Sequence, residues 1–379
     1  MVFHLPATGE PSQSKKSELK FVLLLTLALR LLYSVAAAAM VPFLKLDPNL
    51  VASNFTEKVL SRSSTLDYLV IGIWQRFDTL WYLHIARVGY DRPDSIVFYP
   101  LYPLLIRPFC CSTLRMIAAA LTISTVCSFF LFWGFYRLIT VSLGESRAKK
   151  ALILYTVWPA SFIFFAAYPD SLVIALVIWG TYWGQKEKWW LAIALGTLAG
   201  FTKTVGALAI APLVVLGWKQ KQPKALASFL CMIGPVAFSV YTRSLAYPSV
   251  VEVYRVYWRT DVAAPWTTLI SAIYAIATQH AFVTLANLMF LVLVLVPALV
   301  VRIRPEFTAF TVTAAALFLT KRSTPILQST IRYVLALFPV FASFACVFRT
   351  RRVFALITLC LFAFNLFLLH EFLNWQLLV

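Results

Sequence analysis

Long runs of apolar residues alternate along the chain with short polar segments. The runs lack the apolar-polar alternation of a barrel strand, and about 20 apolar residues are enough for one helix to cross a bilayer. Only helices and closed barrels satisfy their backbone hydrogen bonds in lipid, so we interpret the runs as membrane helices. The candidate spans are residues 20–43, 116–140, 150–167, 170–185, 188–201, 204–218, 225–246, 279–301, 306–320, 331–348 and 353–374.

Several of these runs are shorter than about 20 residues, as expected for tilted, paired or re-entrant helices, so we predict about 10–12 helices. The composition supports this interpretation, because the 379 residues are 61% hydrophobic and only 13% charged. An average soluble domain has about 25% charged residues. We therefore expect an all-α polytopic membrane protein in which residues 1–379 form a single domain.

The net charge of +18 arises largely from basic residues in the short turns between runs. About half of the 33 Lys and Arg residues lie in these turns, for example Lys219, Lys221 and Lys224. Because cytoplasmic loops are enriched in Lys and Arg, we predict a cytoplasmic N-terminal tail over residues 1–18 and an outer C-terminus. No separate basic segment exists, which argues against a nucleic-acid-binding protein.

The predicted outer segments are longer and more acidic than the inner turns. They are residues 45–115, 247–266 and 321–332. A loop of about 70 residues is usually functional or disordered, and the first outer loop is too aromatic for disorder. It also contains a sequon at Asn54, which matters only in a eukaryotic secretory pathway. Long outer segments of this kind favour an enzyme over a simple conduit.

Residues 73–91 have the spacing of an amphipathic helix. Their apolar residues recur at three- and four-residue steps, which predicts a helix in the membrane interface, where Trp and Tyr are enriched. Gly89 is placed to end this helix, and Asp78 lies near its start. Prolines interrupt the next apolar stretch, residues 96–109, which predicts a kinked re-entrant or interfacial segment. The stripe of the first helix consists of Trp74, Phe77, Leu80, Trp81, Ile85 and Val88.

Asp78 is the strongest candidate for chemistry. A carboxylate held at the membrane surface among Trp and Tyr side chains is suited to accept a proton from an acceptor hydroxyl, as a general base. The structural alternatives are a helix N-cap or a salt bridge with Arg76. A capping box gives the N-cap no further support, because Trp81 stands where such a box has Glu or Gln.

Five segments along most of the chain carry recognisable motifs: RFDTLWYLHIARVGYD at 76–91, VFYPLYPLL at 97–105, WPASFIFFAAYPDSLV at 158–173, GFTKTVGALAIAP at 200–212 and FLNWQLLV at 372–379. In their order, these motifs resemble those of the GPI mannosyltransferase II family (phosphatidylinositol glycan class V type) and its short prokaryotic relatives. Phe77 replaces the family's usual Trp, and Lys203 replaces an Arg.

The resemblance implies a GT-C-like membrane glycosyltransferase. Such an enzyme takes a sugar, in this family mannose, from a polyprenyl- or dolichyl-phosphate carrier. It attaches the sugar with inversion to a hydroxyl of a glycolipid or glycan at the outer or lumenal face. The family's catalytic acid lies in the first outer loop, at the position of Asp78. The chain is short for this family, which favours a prokaryotic plasma membrane over the endoplasmic reticulum.

A phosphate-linked donor needs cations beside its phosphate. Lys203 lies between two apolar half-spans, where a charge is costly and usually functional, unless it snorkels to the interface. Asp170 follows a Tyr-Pro turn and is either a helix cap or a contact of the site. The donor-phosphate candidates are Arg332, Lys203, Arg322 and His84, with Arg255 and Arg259 in reserve. The candidate acceptor-contacting or site-lining residues are Asp170, Tyr82, Tyr99, Tyr168 and Arg76.

Other kinds of function receive less support. The sequence contains no cluster of Asp, Glu and His with metal-ligand spacing, so we expect no metal and no other cofactor. It also lacks a P-loop motif for ATP-driven transport. A transporter or flippase of lipid-linked glycans would explain charges within spans but predicts internal repeats and broken helices. Another transferase with the same architecture, O-antigen ligase-like or pentosyl-transferring, is a third possibility.

Overall fold

The computed structural model of the chain describes residues 15–45, 65–301, 304–348 and 350–376. These residues form 17 α-helices and one two-stranded sheet. The helices are α1 (Lys15–Met40), α2 (Thr65–Val70), α3 (Asp78–Val88), α4 (Leu101–Ile106), α5 (Thr113–Leu143), α6 (Glu145–Thr156), α7 (Asp170–Gln185), α8 (Trp189–Thr202), α9 (Ile210–Gln220), α10 (Ile233–Ser244), α11 (Val250–Trp258), α12 (Pro265–Gln279), α13 (Phe282–Val300), α14 (Pro305–Leu319), α15 (Thr330–Tyr333), α16 (Pro339–Val347) and α17 (Arg351–Leu373), and the strands are β1 (Asp261–Val262) and β2 (Lys321–Arg322).

Long apolar helices confirm an all-α, multi-pass integral membrane protein. Within the described ranges, five helical segments are long and apolar enough to cross a bilayer. A sixth candidate is a bent pair, Thr330–Ala336 and Pro339–Val347, whose halves meet at 97°. The five segments are Lys15–Phe43, Thr113–Leu143, Pro223–Ser244, Phe282–Val300 and Arg351–Leu373.

Other predicted spans correspond to apolar helices that are shorter than these five segments. This agrees with the limited lengths of the apolar runs in the sequence. Trp189–Thr202, Thr204–Gln220 and Pro305–Leu319 have this character. The predicted span 150–167 differs most, because α6 ends at Thr156 and a short 3-10 helix follows. Pro159 lies at this break, and proline provides no backbone N–H and disfavours helical geometry at the preceding residue.

The helix predicted in the first outer loop is present as α3, and it begins at Asp78. Gly89 ends it with a φ of 84° and donates its N–H to the Ile85 carbonyl, which confirms the predicted cap. The apolar stripe packs largely against the rest of the protein. Leu80 is buried, whereas Val88 at the end of the helix is 53% exposed. Helix α3 therefore forms part of the protein core.

Short helices form the proline-interrupted stretch that follows α3. Helix α4 begins directly after Pro100, and a 3-10 turn, Arg107–Phe109, follows it. Leu104 is 54% exposed, while Tyr102 is fully buried. This arrangement agrees with a kinked interfacial segment. The sequon at Asn54 and the tail up to residue 14 lie outside the described residues.

The small sheet joins the two later segments that were predicted to lie on the outer side. Strands β1 and β2 pair antiparallel, with Asp261 opposite Arg322 and Val262 opposite Lys321. Adjacent residues of a strand point to opposite faces. The side chains of Lys321 and Arg322 therefore lie on opposite faces of the strand pair.

Glycines allow two helices to approach each other closely next to the predicted site residue Lys203. A Cβ atom added to Gly234 at the start of α10 would lie 2.3 Å from the Gly200 carbonyl carbon in α8. Backbone cannot yield as a flexible side chain does, so only glycine fits this crossing. The crossing fixes the end of α8, after which Lys203 follows.

We predict that Gly234→Ala lowers the free energy of unfolding by about 1–3 kcal/mol, because the added methyl group overpacks the crossing. The measurement is thermal unfolding of the purified chain in detergent. Val236→Ala is the matched control, since Val236 lies in the same helix and is 56% exposed. An equal melting temperature for Gly234→Ala and wild type would contradict this account of the crossing.

Candidate functional site

Asp78 is held at the start of α3 by an unusual backbone conformation. The preceding residue, Phe77, has a φ of 48°, and its ring packs against Phe372 and Trp375 at centroid distances of 5.5 and 5.1 Å. A positive φ is uncommon for a bulky residue and marks a constrained site. The backbone N–H of Asp78 donates to the Tyr168 hydroxyl over 3.2 Å. The Asp78 carboxylate is therefore positioned by the backbone at Phe77, by the Tyr168 hydroxyl and by the C-terminal rings that pack on Phe77.

Arg332 bridges two carboxylates that are far apart in the sequence. Its Nη1 donates to Asp78 Oδ2 and its Nη2 to Asp170 Oδ2, each over 2.9 Å. The guanidinium carbon also lies 4.5 Å from the centroid of the Tyr168 ring. A planar guanidinium provides two parallel donors, which a lysine ammonium does not. The bridge thus joins α3, α7 and α15 at one point.

Lys203 completes a row of alternating charges. Its Nζ lies 3.0 Å from Asp170 Oδ1, on the side of the carboxylate that Arg332 does not use. Lys203 has extended backbone between α8 and the 3-10 turn that follows, and its carbonyl accepts the Gly206 N–H over 2.8 Å. Lys203 was predicted to lie at a helix break and Asp170 at a helix start. Both predictions agree with these positions.

The row is buried in its middle and open at its ends. The side chains of Asp170 and Arg332 are 8% and 9% exposed, whereas those of Asp78 and Lys203 are 25% and 26% exposed. Buried ion pairs pay a large desolvation cost, and they persist where their geometry and hydrogen bonds compensate. A substrate would therefore meet Asp78 and Lys203 first.

The segment around Arg332 is held by large buried side chains. Helix α15 starts after Ser329, whose φ is 62°. The Trp158 indole donates to the Ile331 carbonyl over 2.8 Å, and the Tyr155 hydroxyl donates to the Leu335 carbonyl over 2.7 Å. Trp158 and Tyr155 come from the chain just before Asp170. The same region thus positions Asp170 and Arg332 relative to each other.

Tyrosines line the site, as predicted. Burial raises the pKa of Tyr82 well above its usual value, and the carboxylates of Asp78 and Asp170 raise it further. Tyr82 therefore stays a neutral hydroxyl at physiological pH. Burial also raises the pKa of Tyr99, whose hydroxyl accepts a hydrogen bond from Thr204 Oγ1 over 3.1 Å. Thr204 follows Lys203, so Tyr99 lies on the Lys203 side of the row.

Three predicted site residues have their charged groups engaged elsewhere. The Arg76 side chain donates to the Leu373 carbonyl over 2.7 Å, although its own carbonyl accepts from Tyr168. His84 Nε2 lies 2.7 Å from Asp91 Oδ1. Arg322 faces Asp261, with Nη2 to Oδ2 at 3.4 Å. These contacts do not bring the three side chains into the row of Asp78, Arg332, Asp170 and Lys203.

Lys321 is a charged residue of this region that the sequence analysis did not single out. Its Nζ lies 4.8 Å from the centroid of the Tyr254 ring and 5.4 Å from that of Tyr333, and it donates to the Tyr254 hydroxyl. Tyr333 directly follows Arg332. The sequence feature that could have identified it is the adjacent pair Lys321 and Arg322. Adjacent side chains in a strand point to opposite faces, so only one of the two can face the site.

Metal-ligating side chains do not gather in the part of the chain that the structure describes. No group of three or more His, Cys, Asp or Glu side chains there has the proximity to hold an ion. The acids of the row face Arg and Lys side chains instead. The arrangement can hold an anionic substrate and accept a proton with residues of the chain itself.

Comparison with known proteins adds no relative to this description. No family model matches the chain, and no curated protein matches it.

We predict that Arg332→Ala lowers the free energy of unfolding by about 3 kcal/mol, because it removes the main partner of the buried Asp170 carboxylate. Thermal unfolding in detergent measures this loss. Arg322→Ala is the control, since its pair with Asp261 is more than 40% exposed on both sides and such pairs contribute about 0–1 kcal/mol. Adding Asp170→Asn to Arg332→Ala should recover part of the loss. Equal destabilisation by the two arginine variants would contradict the central role of the bridge.

Proposed function

We propose that the chain is a membrane glycosyltransferase that moves a sugar, with mannose the first candidate, from a polyprenyl-phosphate carrier to an acceptor hydroxyl. The observation that carries this proposal is that Arg332 binds both Asp78 and Asp170. These two aspartates lie 254 and 162 residues before Arg332 in the sequence. Asp78 and Asp170 lie in segments that resemble the GPI mannosyltransferase II family, and Arg332 is a donor-phosphate candidate from the sequence. The resemblance gives the reaction class.

Asp78 is the proposed general base. Its Oδ2 accepts from Arg332, and among the described residues no hydrogen bond occupies its Oδ1. The free oxygen takes the proton of an acceptor hydroxyl while the acceptor oxygen attacks the anomeric carbon. The bond between that carbon and the phosphate oxygen breaks, and its electron pair leaves with the polyprenyl phosphate. A single displacement of this kind inverts the anomeric configuration.

Cations next to Asp78 suit the leaving group. Polyprenyl phosphate departs with an additional negative charge, which preorganised Arg or Lys side chains stabilise in a site shielded from water. Arg332 next to Asp78, and Lys203, whose side chain is a quarter exposed, are the two cations of the row that supply positive charge. A phosphate-linked donor needs no metal for such stabilisation, so we propose that the reaction uses no cofactor.

Charge placement supports a site on the outer membrane face. At one end of α14, Glu306 is bound by Lys219 and Arg304, two residues of the predicted cytoplasmic turns. At the other end, Leu319 lies two residues before Lys321. A helix of 15 residues is about 22 Å long. The basic turns and the site thus lie at opposite ends of one helix, and we propose a prokaryotic plasma membrane with the N-terminus inside.

A transporter or flippase of lipid-linked glycans is the alternative, and one observation favours it. The late span is broken by 97° between Thr330–Ala336 and Pro339–Val347, and its first half contains Arg332. Broken helices with charged residues at the break are typical of transporters. The two functions differ in their product, because a transporter moves the lipid-linked sugar without forming a new glycosidic bond.

We predict that Asp78→Asn lowers sugar transfer by about 100-fold or more, because general bases typically contribute about 10²–10⁴ to rates. The assay follows label from polyprenyl-phosphate-[³H]mannose into glycolipid or glycan in membranes with matched amounts of protein. Asp91→Asn is the control, because Asp91 belongs to the same segment, is 48% exposed and pairs with His84.

Equal transfer by Asp78→Asn and wild type would remove Asp78 as the base. Movement of the labelled carrier across the membrane without a new sugar linkage would instead favour the transporter. Loss of transfer in both aspartate variants would point to a general defect of the segment.

A further inference from the structure

The cations of the site are not equally available to an incoming anion. Arg332 uses both Nη groups on Asp78 and Asp170, and Lys203 is paired with Asp170. Lys321 forms no ion pair with any carboxylate that the structure describes. The carboxylates of Asp78 and Asp170 thus lie among three cations, Arg332, Lys203 and Lys321. Lys321 is the cation of these three whose charge is not balanced by an ion pair with a described carboxylate.

Aromatic rings hold the Lys321 ammonium without neutralising it. The ammonium lies over the rings of Tyr254 and Tyr333, and its hydrogen bond to the Tyr254 hydroxyl is 3.3 Å long. Cation–π contacts orient a lysine and leave its full charge available. Tyr333, whose ring contacts the Lys321 ammonium, directly follows Arg332 in the chain. Lys321 therefore lies next to the segment that carries Arg332 of the Asp78–Arg332 pair.

Two apolar cavities are lined by residues close to Lys321. Phe318, Leu319 and Tyr333 line a small cavity of about 10 Å³ against α13. Leu319, two residues before Lys321, also lines a larger cavity of about 250 Å³ between α12, α13, α14 and α16, whose walls are almost entirely apolar. Tyr333 contacts the lysine and borders the small cavity. A hydrocarbon chain attached to an anion at Lys321 would therefore have apolar surface close by.

We propose that Lys321 binds the phosphate of a lipid phosphate, that the first part of the lipid chain lies in the cavities beside α14, and that Arg332 is a positioning residue for Asp78 and Asp170. The inference rests on the proposed function, since it identifies where the donor of that reaction is held. Lysine binds phosphate as a point charge, and the neighbouring tyrosine hydroxyls can donate hydrogen bonds to its oxygens. The ligand is recognised by its phosphate and its chain together.

The test compares two lipids that differ only in the phosphate. Full-length protein in nanodiscs is titrated with tritiated polyprenyl monophosphate and with the corresponding free polyprenol. Lys321→Gln and Lys321→Met remove the charge, Lys321→Arg restores it, and Arg322→Gln is the control on the opposite face of the strand. Competition by inorganic phosphate separates recognition of the anion from recognition of the lipid, and melting temperatures show whether each variant is folded.

We expect wild type, Lys321→Arg and Arg322→Gln to prefer the lipid phosphate over the alcohol by about tenfold or more, as for a hydrogen bond to a charged group. Both neutral variants should lose this preference while binding polyprenol as wild type does. In transfer assays their KM for the donor should rise by a similar factor, with kcat changed less. Inorganic phosphate should compete only weakly, because it lacks the chain.

An unchanged preference in either folded neutral variant would overturn the role of Lys321. If Asp78→Asn still abolished transfer in that case, the proposed function would stand without this inference. A wild-type protein with no preference for the phosphate would overturn the inference together with the lipid-phosphate donor. Competition by inorganic phosphate as strong as by the lipid phosphate would overturn the assignment of the chain to the cavities.

Discussion

The two-sided ion pair of Arg332 is the interaction on which the site depends. It ties the start of α3, through Asp78, to the start of α7, through Asp170, and to the first half of the bent helix pair, which carries Arg332. Each partner lies at the end of a helix, so the pair fixes how those ends meet. The hydrophobic effect packs the helices but is not directional. The directional bonds of one guanidinium select the arrangement that also places an acid at the surface of the site.

This arrangement carries costs that a purely structural core would avoid. Buried charges lose hydration, and apolar side chains of similar volume often replace them without loss of stability. Phe77 and Ser329 have positive φ values on either side of the bridge. Strained residues and buried charges persist together where function requires them. The costs are consistent with a carboxylate that must be held in place and must still offer one oxygen to a substrate.

The four residues of the row, Asp78, Arg332, Asp170 and Lys203, were all predicted from the sequence, whereas their contacts and Lys321 were not. Asp78 at a helix start, Asp170 after a Tyr-Pro turn and Lys203 at a helix break each follow from local patterns. That Arg332 would bridge two of them depends on packing across 254 residues, which no local pattern encodes. The sequence led to Arg322 and not to Lys321, because the pairing of β1 with β2, which sets the face that each side chain occupies, is not visible in the sequence. The stripe of α3 predicted a helix correctly, yet the protein itself covers much of it.

The central claim is that Asp78 promotes a single displacement at the anomeric carbon of a lipid-phosphate sugar. The anomeric configuration of the product tests it most directly, and NMR of the ¹³C-labelled glycoside formed from a donor of known configuration gives the answer. Inversion is the result that this account predicts. Retention would contradict it, because it requires a second displacement at the anomeric carbon, whereas this account gives Asp78 the role of a base in a single displacement.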